Sequence, residues 1–264
     1  VANVDDGLFI VVNAGCKKAD IDHMREKLPC GIEVDVLSDV ALIALQGPAA
    51  ESVLSRHIPG VSSLGFMSSA VFKIAGVRAM ISRAGYTGED GFEISVDAAE
   101  AGSIARDLLV EPEVQPAGLG ARDSLRLEAG FCLYGHDIDT TTSPVEAALE
   151  WSISKRRREY GGFPGAVIIQ QQLRDGATRR RVGICPDGRA PAREHTELTD
   201  LEGGHIGEIT SGGFGPSVGK PIAMGYVTLD HAKVGTAVNA MVRGKALSAT
   251  VTKLPFVVSH KLQK

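Results

Sequence analysis

The chain has 264 residues, of which 44% are hydrophobic and 23% charged, with a formal net charge of −4. That is globular composition with ample material for a core, and the length is long for one domain and comfortable for two. The acidic balance excludes broad nucleic-acid affinity, and no apolar run approaches the ~20 residues of a membrane helix.

From the N-terminus, Leu8–Asn13 reads as a buried strand with nothing before it to pair with. No start methionine and no signal-peptide core precede it, so an upstream segment is expected to be missing. Lys18–Leu28 reads as a short polar helix with Ile21, Met24 and Leu28 on one stripe; Glu33–Leu37 and Ala41–Leu45 read as strands. Gln46-Gly47-Pro48 then opens a helix over Ala49–Ser55, with proline near the start, where its missing N–H does little harm. Phe66–Ile74 and Val77–Ser82 read as strands joined through Ala75-Gly76.

The next segment, Gly85-Tyr86-Thr87-Gly88-Glu89-Asp90-Gly91-Phe92-Glu93-Ile94-Ser95-Val96, is the most informative in the chain. Its glycines require a tightly bent backbone, and a period-two strand follows at once. Phe92, Ile94 and Val96 point one way and Glu93, Ser95 and Asp97 the other. Glu93 therefore sits opposite a buried stripe, where an acid can accept hydrogen bonds from the donor edge of a heterocycle; the alternative is a glycine-rich hairpin with an exposed acid.

Ala98–Leu109 and Gly118–Ala129 read as helices, so the first part of the chain is α+β. Lys155–Arg158, Gly161-Gly162 and Pro164-Gly165 form a basic, glycine-rich connector, followed by a short helix over Ala166–Leu173. Short apolar segments then recur at Val182–Ile184, Ile206–Ile209, Ala223–Val227, Ala237–Val242 and Ala246–Val251. This spacing signals a small β-barrel or sandwich of about 85 residues, with a domain boundary near residue 175.

Several residues invite chemistry. Arg122 opens the helix over Gly118–Ala129, where a cation opposes the helix dipole by ~0.3–1 kcal/mol. Either it pairs with Asp123 or Glu128, or its forked donors meet the carboxylate of a ligand. Asp137-Ile138-Asp139 resembles a paired-carboxylate motif but reads better as a solvated turn. Trp151, the single tryptophan, either floors a planar ligand or fills a core; Tyr86 and Tyr134 are ambiguous in the same way. The clusters Lys155–Arg158 and Arg179–Arg181 either steer an acidic partner or form solvated faces.

Cys16, Cys30, Cys132 and Cys185 show no CxxC pair, and His57, His136 and His195 lie far apart in sequence, so no metal centre is expected. A Gly-x-Gly-x-x-Gly helix opening, a Walker loop, a Gly-x-Ser-x-Gly elbow and a Cys/His dyad are all lacking. Rossmann oxidoreductase, nucleotide hydrolase and covalent hydrolase readings fall away.

In chain order, Asn13-Ala14-Gly15-Cys16, Ala44-Leu45-Gln46-Gly47-Pro48, Gly85–Ser95, Ala121–Gly130, Leu133–Asp139, Ser143-Pro144-Val145-Glu146, Trp151, Lys155–Arg158, Phe163-Pro164-Gly165, Arg179–Gly183, Thr210-Ser211-Gly212, Met224-Gly225-Tyr226-Val227 and Pro255-Phe256-Val257 resemble the T-protein family of the glycine cleavage system, tetrahydrofolate-dependent aminomethyltransferases. The resemblance covers almost the whole chain. It implies an α+β, multi-lobed cloverleaf around a folate channel, ending in a small β-barrel. Its domains would be residues 1–36, the remainder of an N-terminal lobe; 37–174, the central folate-binding lobe and connector; and 175–264, the barrel.

The implied reaction takes an aminomethyl group from the lipoyl arm of H-protein, releases ammonia and forms 5,10-methylenetetrahydrofolate, with no metal and no covalent enzyme intermediate. Carried over by position, Glu93 matches the acid that binds the pterin's amino edge and Arg122 the arginine that meets folate's polar tail. Asn13, Tyr86 and Trp151 fall on pocket walls, and the basic clusters become candidates for receiving lipoylated H-protein. Neither nucleic acid nor a membrane is an implied partner; the implied compartment is bacterial cytoplasm or mitochondrial matrix. The family's catalytic aspartate is expected upstream of Val1, a place that Asp5 and Asp6 cannot fill, so the chain as it stands is expected to be inactive; Lys261 stands where relatives often place a folate-contacting tyrosine. Related demethylases and sarcosine dehydrogenases share the lobes with another donor. Scaffolds of the iron–sulfur assembly type carry Lys-Gly-Cys-Tyr-x-Gly-Gln-Glu, whose cysteine and glutamine Gly85–Glu89 lacks.

Overall fold

The computed structural model describes residues 1–4 and 7–258; Asp5, Asp6 and Lys261 lie outside the described residues. The chain divides into two compact units, one built from Val1–Gly85 and Glu89–Pro116, the other from Tyr86–Gly88 and the chain from Ala117 onward.

In the first unit, strands β1 (Ala2–Val4) and β2 (Gly7–Phe9) form a two-stranded ribbon, with Ala2 opposite Phe9 and Asn3 opposite Leu8. The strand expected over Leu8–Asn13 thus ends at Phe9 and does have an upstream partner. Helix α1 (Lys17–Lys27) follows; Ile21 and Met24 are half-buried on it. No strand forms at Glu33–Leu37: Ile32, just before that stretch, and Leu37, at its end, are exposed, and its backbone finds no ladder.

A four-stranded antiparallel sheet carries the rest of this unit. Its strands are β3 (Val40–Gln46), β4 (Ser69–Ile74), β5 (Val77–Ser82) and β6 (Gly91–Asp97), in the order β3-β6-β5-β4. Phe92, Ile94 and Val96 alternate onto one face of β6 and are 0%, 0% and 2% exposed. They pack with Val53 and Leu54 of α2 (Ala50–His57), Ile58 just after it, and Ile104 and Leu108 of α3 (Ala98–Leu109). Burying a side chain such as Phe92 contributes about 1.5–3 kcal/mol. Asp97 ends the strand and begins the helix: its carboxylate accepts from the Ala99 N–H at 2.8 Å, a cap on the first turn of α3.

The glycines before β6 have a steric cause. The Gln46 amide donates to the carbonyls of Ala84 at 3.0 Å and Phe92 at 3.2 Å, crossing the bend. A Cβ on Gly85 would lie 1.8 Å from Gln46 Oε1, and one on Gly91 would lie 2.6 Å from both the Gln46 amide carbon and the Leu45 carbonyl oxygen.

The second unit begins with α4 (Leu119–Glu128), α5 (Lys155–Tyr160) and α6 (Ala166–Asp175). The basic stretch read as connector is therefore α5, whose first turn is capped by Ser154 accepting from the Arg157 N–H. A closed six-stranded antiparallel barrel follows: β7 (Arg179–Pro186), β8 (Glu197–Thr199), β9 (His205–Gly215), β10 (Lys220–Thr228), β11 (Ala237–Val242) and β12 (Lys245–Thr252). Each predicted apolar segment falls within a strand, and three-residue β8 is an addition too short to show a period. Closure removes the unpaired edges that an open sheet of these strands would expose. Val182, Ile184, Leu198, Ile209, Val227, Val238 and Val251 fill the interior. Leu127 of α4 packs outside it with Ile222 and Met224 of β10.

Candidate functional site

In the first unit, Glu93 stands on the face of β6 away from the buried stripe, opposite Ala44 of β3 and Ser82 of β5. Its neighbours across the sheet are small, and among the described residues its carboxylate has no hydrogen-bonding or ion-pair partner. The adjacent bend is held by Arg83, which donates from Nε to Asp90 at 3.1 Å and from Nη1 to the Leu64 carbonyl at 3.0 Å, and pairs with Glu51. The bond to Asp90 raises the guanidinium pKa above its ordinary value. Arg83 is thereby committed to fixing the loop from which β6 emerges. Asn13 is exposed; its backbone begins the turn Ala14–Cys16, accepting from the Cys16 N–H at 3.1 Å, while its side chain makes no capping bond.

In the second unit, the Arg122 guanidinium lies over the Tyr86 ring, 4.7 Å from its centroid. Tyr86 in turn stacks on Phe131, with centroids 5.7 Å apart and planes at 19°. The Tyr86 hydroxyl donates to the Cys132 carbonyl, and burial pushes the phenol pKa up to about 12. Neither acid weighed as a partner for Arg122 pairs with it. Asp123 accepts from Arg126 at 2.8 Å, and buried Glu128 accepts from the Ser217 N–H, the Ser217 hydroxyl and the Val218 N–H. Among the described residues Arg122 makes no ion pair, so its fork of donors is held only by the ring beneath it. A cation–π contact of this kind contributes about 0.5–1 kcal/mol at an exposed site and engages none of the N–H donors as hydrogen bonds.

Three sequence expectations need correction. Asp137 is not in a solvated turn: its side chain is fully buried and paired with Arg126 Nη1 at 2.7 Å. Trp151 fills no core, being 74% exposed in the short 3₁₀ turn Glu150–Ser152. Arg179–Arg181 form no free cationic face. Arg181 is buried and donates to the carbonyls of Ala147 and Gly130, Arg180 pairs with Glu150 at 2.7 Å, and Arg179 meets Glu146 at 3.4 Å. Lys155, Arg156 and Arg158 on α5 do remain exposed.

Sequence reasoning missed Arg126, Glu128 and Arg181 as buried charges. The available signal was the flanking of Arg126 and Glu128 by Leu125 and Leu127, which places charge within the packed part of a short helix. His136 and His195, distant in sequence, share one acid: Glu194 lies 2.7 Å from His136 and 3.6 Å from His195. Among the described residues no group of three or more potential ligands could hold a metal ion, and all four cysteines are free.

Two family models match the chain: the GCVT N-terminal domain over residues 1–157 and the glycine cleavage T-protein C-terminal barrel domain over residues 179–257. An aminomethyltransferase, mitochondrial, from Dictyostelium discoideum is 46% identical over 278 residues, covering 98% of this chain and 69% of the relative. A probable aminomethyltransferase, mitochondrial, from Schizosaccharomyces pombe is also 46% identical, over 96% of this chain and 66% of the relative. The Pisum sativum aminomethyltransferase, mitochondrial, is 46% identical over 96% of this chain and 64% of its own length. The chain thus spans about two thirds of these curated relatives. Among solved structures, the glycine cleavage system aminomethyltransferase T from Bartonella henselae aligns with a TM-score of 0.86 and 44% identity, over 94% of this chain and 68% of that one.

Proposed function

Because this chain belongs to the glycine cleavage T-protein family of aminomethyltransferases, we propose that it binds tetrahydrofolate and serves the transfer of an aminomethyl carbon from lipoylated H-protein to that folate. In this reaction the carbon leaves the lipoyl sulfur, its amine departs as ammonia, and it ends bridging two folate nitrogens as the 5,10-methylene form, leaving a lipoyl thiol.

The observation that carries this reading is Arg122: a cation at the start of a helix, against the dipole, seated on an aromatic ring and lacking an acid among the described residues. In the proposed role its fork meets the carboxylates of the folate tail, a two-oxygen acceptor suited to two parallel N–H donors. Glu93, whose carboxylate is likewise unpartnered among the described residues, accepts from the amino edge of the pterin. Asn13, Tyr86 and Trp151 are assigned to the walls around the ligand, Tyr86 as the ring that keeps Arg122 extended. Catalysis on this reading comes from holding the folate nitrogen against the lipoyl carbon and from stabilising a developing iminium cation.

For the protein partner, α5 is the proposed receiving surface: Lys155, Arg156 and Arg158 suit an acidic H-protein face. The same reading divides the chain after residues 36 and 174 and locates it in a mitochondrial matrix or bacterial cytoplasm. Its relatives carry mitochondrial names, and among the described residues no helix is long and apolar enough to cross a membrane.

Anaerobic titration calorimetry with tetrahydrofolate tests the assignment. Glu93→Ala and Arg122→Ala should each remove a charged hydrogen bond of ~1.5–3 kcal/mol, a roughly 10- to 150-fold loss of affinity. Affinity equal to that of the unaltered chain in both variants would remove these residues from the site.

A further inference from the structure

The geometry points to Asp137 as a positioning residue for the Tyr86–Arg122 pair, held in place by the barrel hydroxyls of Thr210 and Ser211. This rests on the folate reading for its purpose, though not for its geometry.

The Asp137 carboxylate is engaged at both oxygens, Oδ2 by three donors and Oδ1 by one. It accepts from Arg126 Nη1 at 2.7 Å, the Leu133 N–H at 2.8 Å, Thr210 Oγ1 at 2.6 Å and Ser211 Oγ at 2.9 Å. Its backbone carbonyl accepts from the Tyr226 hydroxyl at 2.7 Å. With its side chain wholly buried and both oxygens engaged by protein donors, this acid works by holding its neighbours in place.

What it holds is the segment 131–133. Leu133 is tied through its N–H to Asp137 itself; Phe131 is tied through its carbonyl to Arg126 Nη1 at 3.2 Å; Cys132 is tied through its carbonyl to the Tyr86 hydroxyl. Three consecutive residues are thus pinned, two by the Asp137–Arg126 pair and the middle one by Tyr86. Phe131 also supplies the ring on which Tyr86 stacks.

Tyr86 meets this segment twice, through the Cys132 carbonyl and through the Phe131 ring. Tyr86–Gly88 is a three-residue excursion whose flanking residues belong to the other unit. Within the second unit it is fixed by the Cys132 bond, the Phe131 ring and the contact of Gly88 with Ala129, where a Cβ would lie 2.7 Å from the alanine methyl. Loosening Asp137 therefore frees the segment, then the Tyr86 ring, and then the guanidinium above it. The barrel contributes two hydroxyls on β9 that touch neither Tyr86 nor Arg122, yet they set where both stand.

Ser211→Ala removes one hydroxyl without changing charge or volume appreciably, and it is the primary test; Tyr86→Phe, which keeps the ring and breaks the Cys132 bond, is the second. Both proteins should remain folded by circular dichroism. The ¹⁵Nε–¹Hε resonance of Arg122, shifted by the ring beneath it, should move toward its unstacked position in each. Tetrahydrofolate affinity should fall roughly 2- to 10-fold in Ser211→Ala. In an Arg122→Ala background the same substitution should cost no further affinity, because its effect runs through Arg122. An unmoved Arg122 resonance in Ser211→Ala, whatever Tyr86→Phe shows, or losses that simply add across the cycle, would overturn the proposal. If the unaltered chain fails to bind tetrahydrofolate, the folate reading falls while the resonance still decides the positioning role.

Discussion

Arg126 and Asp137 form an ion pair at 2.7 Å with both side chains almost wholly buried, one from α4 and the other from the loop that follows it. Such a pair is kept by its accessory bonds. Arg126 also reaches Asp123, the Phe131 carbonyl and Ser211. Breaking it from one side strands a buried charge. Asp137→Ala should therefore destabilise the second unit by about 3–5 kcal/mol, read as a lowered urea midpoint. A loss below about 1 kcal/mol would mean that water reaches Arg126 and replaces its partner.

The bend before β6 gives a test with an internal control. The three atoms nearest a Cβ on Gly85 all belong to the Gln46 side chain, whereas a Cβ on Gly91 also meets the Leu45 carbonyl. Each alanine substitution should cost about 1–3 kcal/mol. Shortening Gln46 to alanine in the same protein should recover most of the added loss at Gly85 but not at Gly91. Thermal melts of the two double variants decide this; equal recovery at both sites would contradict the steric account.

Tyr86 predicts a pH dependence with a definite sign. Its phenol pKa is raised by burial from an ordinary value near 10 to about 12. The folded state therefore holds the proton more tightly than the unfolded state. Its contribution is complete below pH ~10 and is lost as pH rises through the raised value. A Tyr86→Phe protein should show a shallower decline in stability between about pH 10 and 12 than the unaltered chain. Parallel declines would place Tyr86 in contact with solvent.

The two basic clusters should separate cleanly. Arg181→Ala removes donors from the carbonyls of Ala147 and Gly130 inside the second unit and should lower its melting temperature. Replacing Lys155, Arg156 and Arg158 by serine should change stability by no more than about 0.5 kcal/mol per site, since they lie on an exposed helix. In the proposed function only the α5 variant weakens H-protein binding while leaving the fold intact, which a co-sedimentation assay at low and high salt would read.

Legibility from sequence followed period and locality. The alternation in Phe92–Val96 is complete within five residues and faces one core, so β6 and the orientation of Glu93 could be read directly. Helix α3 announces itself through Asp97 and the apolar spacing of Ile104 and Leu108. The barrel strands were visible because turns punctuate them.

What escaped was non-local. Asp137 looks like a loop acid because its partners Thr210 and Ser211 lie more than seventy residues away. Local patterns assign charges to the surface, the usual place for them. Arg122 could be singled out by its conflict with the helix dipole, but Tyr86 as its support could not, because a stack between positions 86, 122 and 131 leaves no period in the sequence.

The most direct test of the account titrates two ligands against two variants: tetrahydrofolate, and a tetrahydropterin lacking the aminobenzoylglutamate tail. Glu93→Ala should weaken both ligands by a similar factor, since the pterin edge is common to them. Arg122→Ala should weaken tetrahydrofolate alone and leave the tail-less pterin unchanged. Equal losses for both ligands in both variants, or none in either, would contradict the assignment of one residue to each end of the folate.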